Sequence, residues 1–299
     1  MAYQTGSASG QDDLLDKLRL FLVANGWTTN MWQTDGDGYR LHVQKGTQYV
    51  NFRSTATDPS GTDNTGGHIW LCGSEGYDSG EDWDAQPNAS DPSLLRDVAT
   101  VANYYVFLDG DCCYVVVEVT VGIFRHMAFG IIEKNGLAAG QSGAFVGAVY
   151  LSPGSSSIDA TSHALLFDSN ERGALYRNWF RLDIDGDTGL WVRNTYNTSV
   201  SPRVIGTCRK RGMNWDLVLA QPNTFNQSTT LLPMYLMAYR GSDLYSLIGY
   251  PPNIAQCEMN NYMPGDEIVI GSDTWVIFPW YQRASTLSAY HAYAFKKVT

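Results

Sequence analysis

The sequence predicts an α+β protein, mainly antiparallel β, in which an N-terminal amphipathic helix packs on a β-rich body of sandwich-like sheets. Three observations lead there. A single run of helical hydrophobic period lies near the N-terminus, the period changes to two after it, and short apolar runs separated by Asp-Gly and other turn dipeptides continue to the C-terminus. The composition fits an ordered globular chain: of 299 residues, 44% are hydrophobic, 13% aromatic and 17% charged. At that length one large or two medium domains are expected. The division read here is a helix plus β-meander domain over 1–135 and a C-terminal β-rich domain over 136–299.

Residues 11–25 place Leu14, Leu18, Phe21 and Leu22 on one stripe, with Asp12 and Asp13 at the positive end of the helix dipole and Asn25-Gly26 as its stop. A helix this short is marginal in water, so the stripe is expected to dock on the β-rich body of the same chain. Tyr39–Gln44 and Gln48–Arg53 then alternate apolar with polar residues around the Asp35-Gly36-Asp37-Gly38 and Lys45-Gly46 turns, which reads as a β-meander. Stretches 54–67 and 74–93 are rich in Ser, Thr, Asp, Gly and Pro. They are expected to be long surface loops flanking the short strand His68–Cys72, and to bind partner chains more than support the fold.

Tyr104–Leu108, the Asp109-Gly110-Asp111 turn and the almost continuously apolar Cys112–Val121 predict a strand pair whose second member is covered on both faces. Phe124–Ile132 continues that sheet. The Gly/Ser-rich stretch Asn135–Ser157 is the expected place for a boundary or a long excursion. Beyond it, strands are expected at Asn178–Ile184, Leu190–Arg193, Met234–Arg240, Glu267–Ile270, Trp275–Phe278 and Tyr290–Lys297, with Trp275 and Phe278 as core residues of a buried hairpin. No fixed-period repeat occurs, which argues against solenoids and propellers.

The net charge of −10 disfavours a protein that coats nucleic acid, and the basic run Arg209-Lys210-Arg211 reads as a solvated turn. The 18 Tyr and 9 Trp, set against 20 Lys plus Arg, lean toward β-sheet and interface chemistry. Neither a basic n-region with an apolar stretch nor a run approaching about 18 apolar residues is present, so classical secretion and membrane anchoring are not expected. Cys72, Cys112, Cys113, Cys208 and Cys257 are an odd set, and reduced, mostly buried thiols are the expectation.

No nucleophile elbow, P-loop, dinucleotide fingerprint or H-E-x-x-H helix occurs. The protein is therefore expected not to be an enzyme, and no catalytic, cofactor-binding or metal residue is assigned. His42, His68, His126, His163 and His291 are scattered singly, without metal-ligand spacing. Asp183-Ile-Asp185-Gly-Asp187-Thr-Gly189 resembles the start of a calcium loop, but its sixth position is Thr188 and its twelfth Asn194, and a hairpin turn explains the same residues. The acidic stretch 75–84 could gather a cation and reads rather as a solvated loop. Trp83, Trp179, Trp191 and Trp215 could stack on sugar rings; core packing is the preferred reading.

Several blocks, taken in chain order, carry a resemblance. They are Leu14–Trp27, Val43–Gly46, Val117–Gly130, Pro251-Pro252-Asn253, Met263–Pro279 and the closing Tyr290–Lys297. Together they resemble a family of uncharacterised virion structural proteins of tailed bacteriophages. The resemblance implies a neck, collar or tail component assembling as a homo-oligomeric ring beside other virion proteins, assembled in the host cytoplasm, with no catalytic residues to carry over. Collar, tail terminator, connector and baseplate all remain open. The alternative is a carbohydrate-recognition module of a phage tail or fibre.

Overall fold

The computed structural model describes residues 2–57, 66–135, 143–149, 166–167, 178–184, 187–194, 204–206, 223, 225–239, 244–281 and 291–297. These residues form antiparallel sheets and a single helix. In chain order, strand β1 (Ala2–Ala8) leads into helix α1 (Gln11–Ala24), followed by the meander β2 (Thr28–Asp35), β3 (Gly38–Lys45), β4 (Gln48–Thr55), β5 (His68–Ser74) and β6 (Ser93–Leu95). Next come β7 (Val101–Asp109), β8 (Cys112–Thr120), β9 (Ile123–Ile131), β10 (Glu133–Lys134), β11 (Ala144–Ala148), β12 (Trp179–Ile184), β13 (Asp187–Arg193) and β14 (Val204–Gly206). The C-terminal part holds β15 (Leu232–Pro233), β16 (Leu236–Tyr239), β17 (Tyr245–Tyr250), β18 (Ile254–Glu258), β19 (Glu267–Ile270), β20 (Asp273–Pro279) and β21 (His291–Lys297).

A seven-stranded sheet, β1-β7-β8-β9-β11-β12-β13, is central. Successive strand residues point to opposite faces, and along β8 this alternation feeds two separate apolar cores. Cys112, Tyr114 and Val116 enter one core, while Cys113, Val115 and Val117 enter the other. The near-continuous apolar run of β8 follows from that double burial. The first core contains Phe278, Trp280, Tyr293 and Phe295 of the C-terminal strands and the residues around them. The second contains Leu14, Leu15, Leu18, Phe21 and Leu22 of α1, together with Leu41, Val43, Val50 and Phe52 of the five-stranded sheet β2-β3-β4-β5-β6.

Helix α1 begins where Asp13 accepts a hydrogen bond from the Ser9 backbone amide at 2.8 Å, in the region where a carboxylate suits the helix dipole. It stops at Asn25, whose amide donates to the Leu22 carbonyl while its side chain donates to Phe21 O at 2.8 Å. The hydroxyl of Ser54 in β4 ties the helix to the sheet by donating to Asp12 at 2.5 Å and accepting from Tyr39 N at 2.9 Å. Gly38 permits this close approach, because a Cβ there would fall on the Ser54 carbonyl oxygen.

The sequence expectation misses or misplaces several elements. β1 carries no apolar alternation of its own and is a strand because β7 pairs with it from Ala2↔Leu108 to Ala8↔Val101. The stretch Asn135–Ser157 contains β11, which pairs with β9 through Phe145↔Gly130 and Gly147↔Ala128, so the central sheet draws on chain from both sides of residue 135. The hairpin β19–β20 is not buried throughout. Phe278 is fully buried and packs on Tyr105, Phe107, Phe124 and Phe295, but Trp275 is half-buried and Val269 is 68% exposed. Trp275 and Ile277 alternate with Val276 and Phe278 along β20, so Trp275 packs against a smaller cluster with Ile268, Ile277 and Ala294, on the face opposite the core that Phe278 enters.

Phe278→Ala should therefore lower the unfolding free energy by about 3–5 kcal/mol in urea titration, the usual cost of emptying an aromatic site. Val269→Ser should leave the urea midpoint unchanged, because its side chain already faces water.

Candidate functional site

The densest collection of chemically capable side chains lies on the face of the β3-β4-β5 meander that points away from α1. Leu41, Val50, Phe52, Ile69 and Leu71 use the inner face, so His42, Asn51, Trp70, Cys72 and Ser74 fall on the outer one. His42, Asn51, Cys72 and Ser74 are all buried there, covered by the chain between β5 and β6.

The hydrogen bonds have a single consistent direction. Asn51 donates through Nδ2 to the Ser74 hydroxyl at 3.0 Å, so its Oδ1 is the acceptor facing His42 Nδ1 at 2.7 Å, and His42 carries its proton on Nδ1. Ser74 in turn donates to Gly76 O at 2.9 Å, in the covering loop. A second line runs from Asn51 Nδ2 toward Cys72 Sγ at 3.7 Å, and from the Cys72 thiol to Trp83 O at 3.3 Å. Both lines start on the sheet and end on backbone carbonyls of the loop.

That arrangement settles what the residues can do. A His, an Asn, a Cys and a Ser within one network are the residue types of nucleophilic catalysis. Here burial pushes the Cys72 thiol up to about 12, so it remains protonated, and the Ser74 proton is directed at a carbonyl with no base beside it. Burial also pulls His42 below its ordinary value, and it stays neutral. The network fastens the loop.

The loop itself is built around Gln86, which is 2% exposed. Its side-chain oxygen accepts from Asp78 N at 2.7 Å, and its amide reaches the carbonyls of Asp78, Glu81 and Asp82 at 2.9–3.2 Å. Trp83 is buried against Trp70, Cys72 and Leu94. Arg40 holds Asp82 at 3.0 Å and Asp35 at 3.2 Å, and Glu75 pairs with Arg181 of β12. Trp191 of β13 donates its indole N–H to Asn88 O at 2.7 Å and lies over Gly73, where any Cβ would meet the indole ring. The stretch 74–93 runs over the surface, as its composition predicts, with residues 78–82 exposed, but Trp83, Gln86 and Ser90 fasten it as a strap to the outer sheet and Glu75 and Asn88 join it to the edge of the central one.

The remaining candidates are dispersed. His126 is fully buried between the central sheet and the C-terminal strands. Its Nε2–H donates to Pro279 O at 2.8 Å, its ring packs on Tyr293 and Phe295, and burial pulls it down to about 4. His68 is buried, and His291 stacks on Trp280 at 4.6 Å. Cys112 is buried with burial pushing its thiol up to about 12, Cys113 and Cys257 are likewise raised by burial, and these thiols and Cys72 are free. Trp179 is buried and Trp191 half-buried. Asp183 and Asp187 lie in the backbone of β12 and β13. His163, Cys208, Arg209-Lys210-Arg211, Trp215 and Asp185 lie outside the described residues. Among the described residues, no group of three or more His, Cys, Asp or Glu side chains is placed to hold a metal ion, and no helix is long and apolar enough to cross a membrane.

Three tests follow from this geometry. Trp83→Ala should cost about 3 kcal/mol or more of folding free energy in urea titration, and removing residues 75–84 should leave the protein unable to unfold cooperatively. The pH dependence has a definite sign. His126 binds its proton more weakly folded than unfolded, so the unfolded chain takes up the proton first as pH falls below 6.5, and stability declines until about pH 4, where the folded form also binds it. The slope from this group is about 1.4 kcal/mol per pH unit between those limits. His126→Gln should flatten the urea-midpoint profile over pH 6.5–5; an unchanged slope would assign the dependence to other groups. No protein-family model matches this chain, and no curated protein matches it.

Proposed function

We propose that the protein is a non-enzymatic structural subunit of a tailed-phage virion, a neck, collar or tail component that assembles as a ring with copies of itself and binds neighbouring virion proteins. The observation that carries the non-catalytic part is the sealed network at His42, Asn51, Cys72 and Ser74. Its hydrogen bonds end on Gly76 and Trp83 carbonyls, so the side chains best suited to chemistry act as fasteners. The virion assignment is supported by the family resemblance of the blocks from Leu14 to Lys297 and by the mainly antiparallel β architecture of the described residues, which we read as a layered, sandwich-like body on which the N-terminal helix packs. We read 1–135 and 136–299 as two parts of that body joined through the central sheet.

Carbohydrate recognition is the competing reading. Trp83 and Trp179 are turned into cores, and Trp191 is half-buried with its ring against Gly73, which leaves these rings little free face for sugar stacking. The discriminating experiment is light scattering of the purified chain together with imaging of particles labelled on this protein. A mass that is a multiple of 33.1 kDa and a label confined to the neck or tail is the expected result. A strict monomer absent from particles would overturn the assignment, and glycan-array binding by the isolated chain would favour the alternative.

A further inference from the structure

The strap between β5 and β6 is tied at its base and at its tip by different kinds of bond. At the base, Ser90 N donates to Gly73 O at 2.8 Å and Glu75 N donates to Pro87 O at 2.9 Å, two backbone bonds that bring the ends of residues 75–89 together. Beyond that base the segment crosses the outer sheet on side-chain contacts. Tyr77 lies on the His42 ring at a centroid distance of 5.2 Å, and Trp83 sits against Trp70, Cys72 and Leu94. Ser74 and Cys72 donate to the carbonyls of Gly76 and Trp83. The sheet beneath is held by unbroken ladders from β3 to β5. A compact loop whose ends are joined and whose tip is packed by its own side chains can open without unfolding its support.

His42 is the ionisable group under the tip. Its Nδ1–H donates to Asn51 Oδ1, while Nε2 is buried and meets no acceptor among the described residues. The charged or titratable groups that face it are Arg40 on β3, Arg53 on β4, Cys72 on β5 and Tyr77 in the strap, and β2 offers Met31. The carboxylates nearby are engaged elsewhere: Asp35 holds Arg40 and Arg53, Asp82 holds Arg40, and Glu75 holds Arg181. A proton added at Nε2 would therefore be a buried charge without an acceptor, with the positive Arg40 close by. Burial first, and then the charge of Arg40, pull His42 below its ordinary value of 6.5 against the opposing bond from Asn51. Water reaches Nε2 only when the tip leaves the sheet, so the proton and the closed strap exclude each other. The tip yields before the sheet does, because moving His42 itself would break backbone ladders on β3 and β4.

We propose that the strap is an acid-opened lid: a proton taken up at His42 Nε2 lifts residues 76–86 from the outer sheet and uncovers Trp70 and Cys72, while the base at Gly73 and Ser90 stays closed. The device goes beyond the assembly reading and does not rest on it. The lifted form binds the proton with ordinary affinity and the closed form binds it more weakly. The strap is therefore closed above pH 6.5, and opening grows as pH falls below that value, by at most about tenfold per pH unit for one proton. Carboxyl groups ordinarily titrate near pH 4, below the range in which the lid responds. His126 loses stability in the same range, but it lies in the core on the opposite side of the central sheet and acts on the whole fold. Local opening and global unfolding are told apart by which thiols become reachable.

The test measures labelling of the full chain by 4,4′-dithiodipyridine at low reagent concentration from pH 7.5 to about pH 5, with each cysteine assigned by peptide mapping. Rates are divided by those of a free cysteine peptide at the same pH. Cys72 lies under the strap, whereas Cys113 and Cys257 lie in other cores and become reachable only when those cores open. Labelling of Cys72 should accelerate toward about tenfold per pH unit below pH 6.5 and outrun both of the others. In His42→Asn, which keeps a donor toward Asn51 and cannot titrate, the acceleration should disappear; His42→Gln serves if that variant does not fold. A Cys72 rate that does not change with pH would overturn the lid. So would a Cys72 rate that rises in step with Cys113 and Cys257, which would mark global unfolding. Acceleration that persists in the His42 variant would overturn the assignment of the switch to this residue.

Discussion

Strand β8 is the constraint on which the rest depends. Its alternating side chains must satisfy two cores at once, and no position from Cys112 to Val117 is free to be polar. Each neighbour in the central sheet inherits the same demand, which is why Tyr105 and Phe107 of β7 face the C-terminal aromatics while Tyr104 and Val106 face the helix side. Interiors packed to crystal density tolerate little change of volume. A substitution in β8 is therefore felt on whichever side its residue faces, and the backbone shift it causes is passed to the other.

Much of this was legible in the chain. The stripe Leu14, Leu18, Phe21 and Leu22, the turns around Asp35 and Asp109, and the apolar run from Cys112 onward encode their structure locally, through period and turn chemistry. β1 and β11 do not. Tyr3-Gln-Thr-Gly-Ser becomes a strand because a long partner, β7, offers it hydrogen bonds, and nothing in its own pattern distinguishes it from a terminal arm. The fastening of the strap is hidden for a related reason. Its composition is that of a loop, and the signal that it is packed lies in residues that look ordinary alone: Gln86, whose amide closes the turn, and Trp191, which lies 103 positions beyond the Asn88 carbonyl it reaches. The outer-face polar residues Asn51 and Ser74 were visible as the off-phase positions of an alternating strand, but alternation alone assigns them to solvent.

The polar groups of the interior share one pattern. His42, Asn51, Cys72 and Ser74 join sheet to strap, and His126 joins the central sheet to the Pro279 carbonyl across the other core. In each case an apolar layer is held in register by a few directional bonds, which fix orientation where hydrophobic contact alone permits sliding.

The sequence positions of the two cores also set an order of events during synthesis. Every fully buried member of the helix-side core lies at or before Trp179, so that half of the protein can condense while the ribosome is still translating. The opposite face of β8 is completed by Phe278, Trp280, Tyr293 and Phe295, residues that are translated well after Trp179. Until then a half-built sheet displays Phe107, Tyr114 and Phe124, and the nascent chain is most open to non-native contacts in the interval between the completion of its two cores.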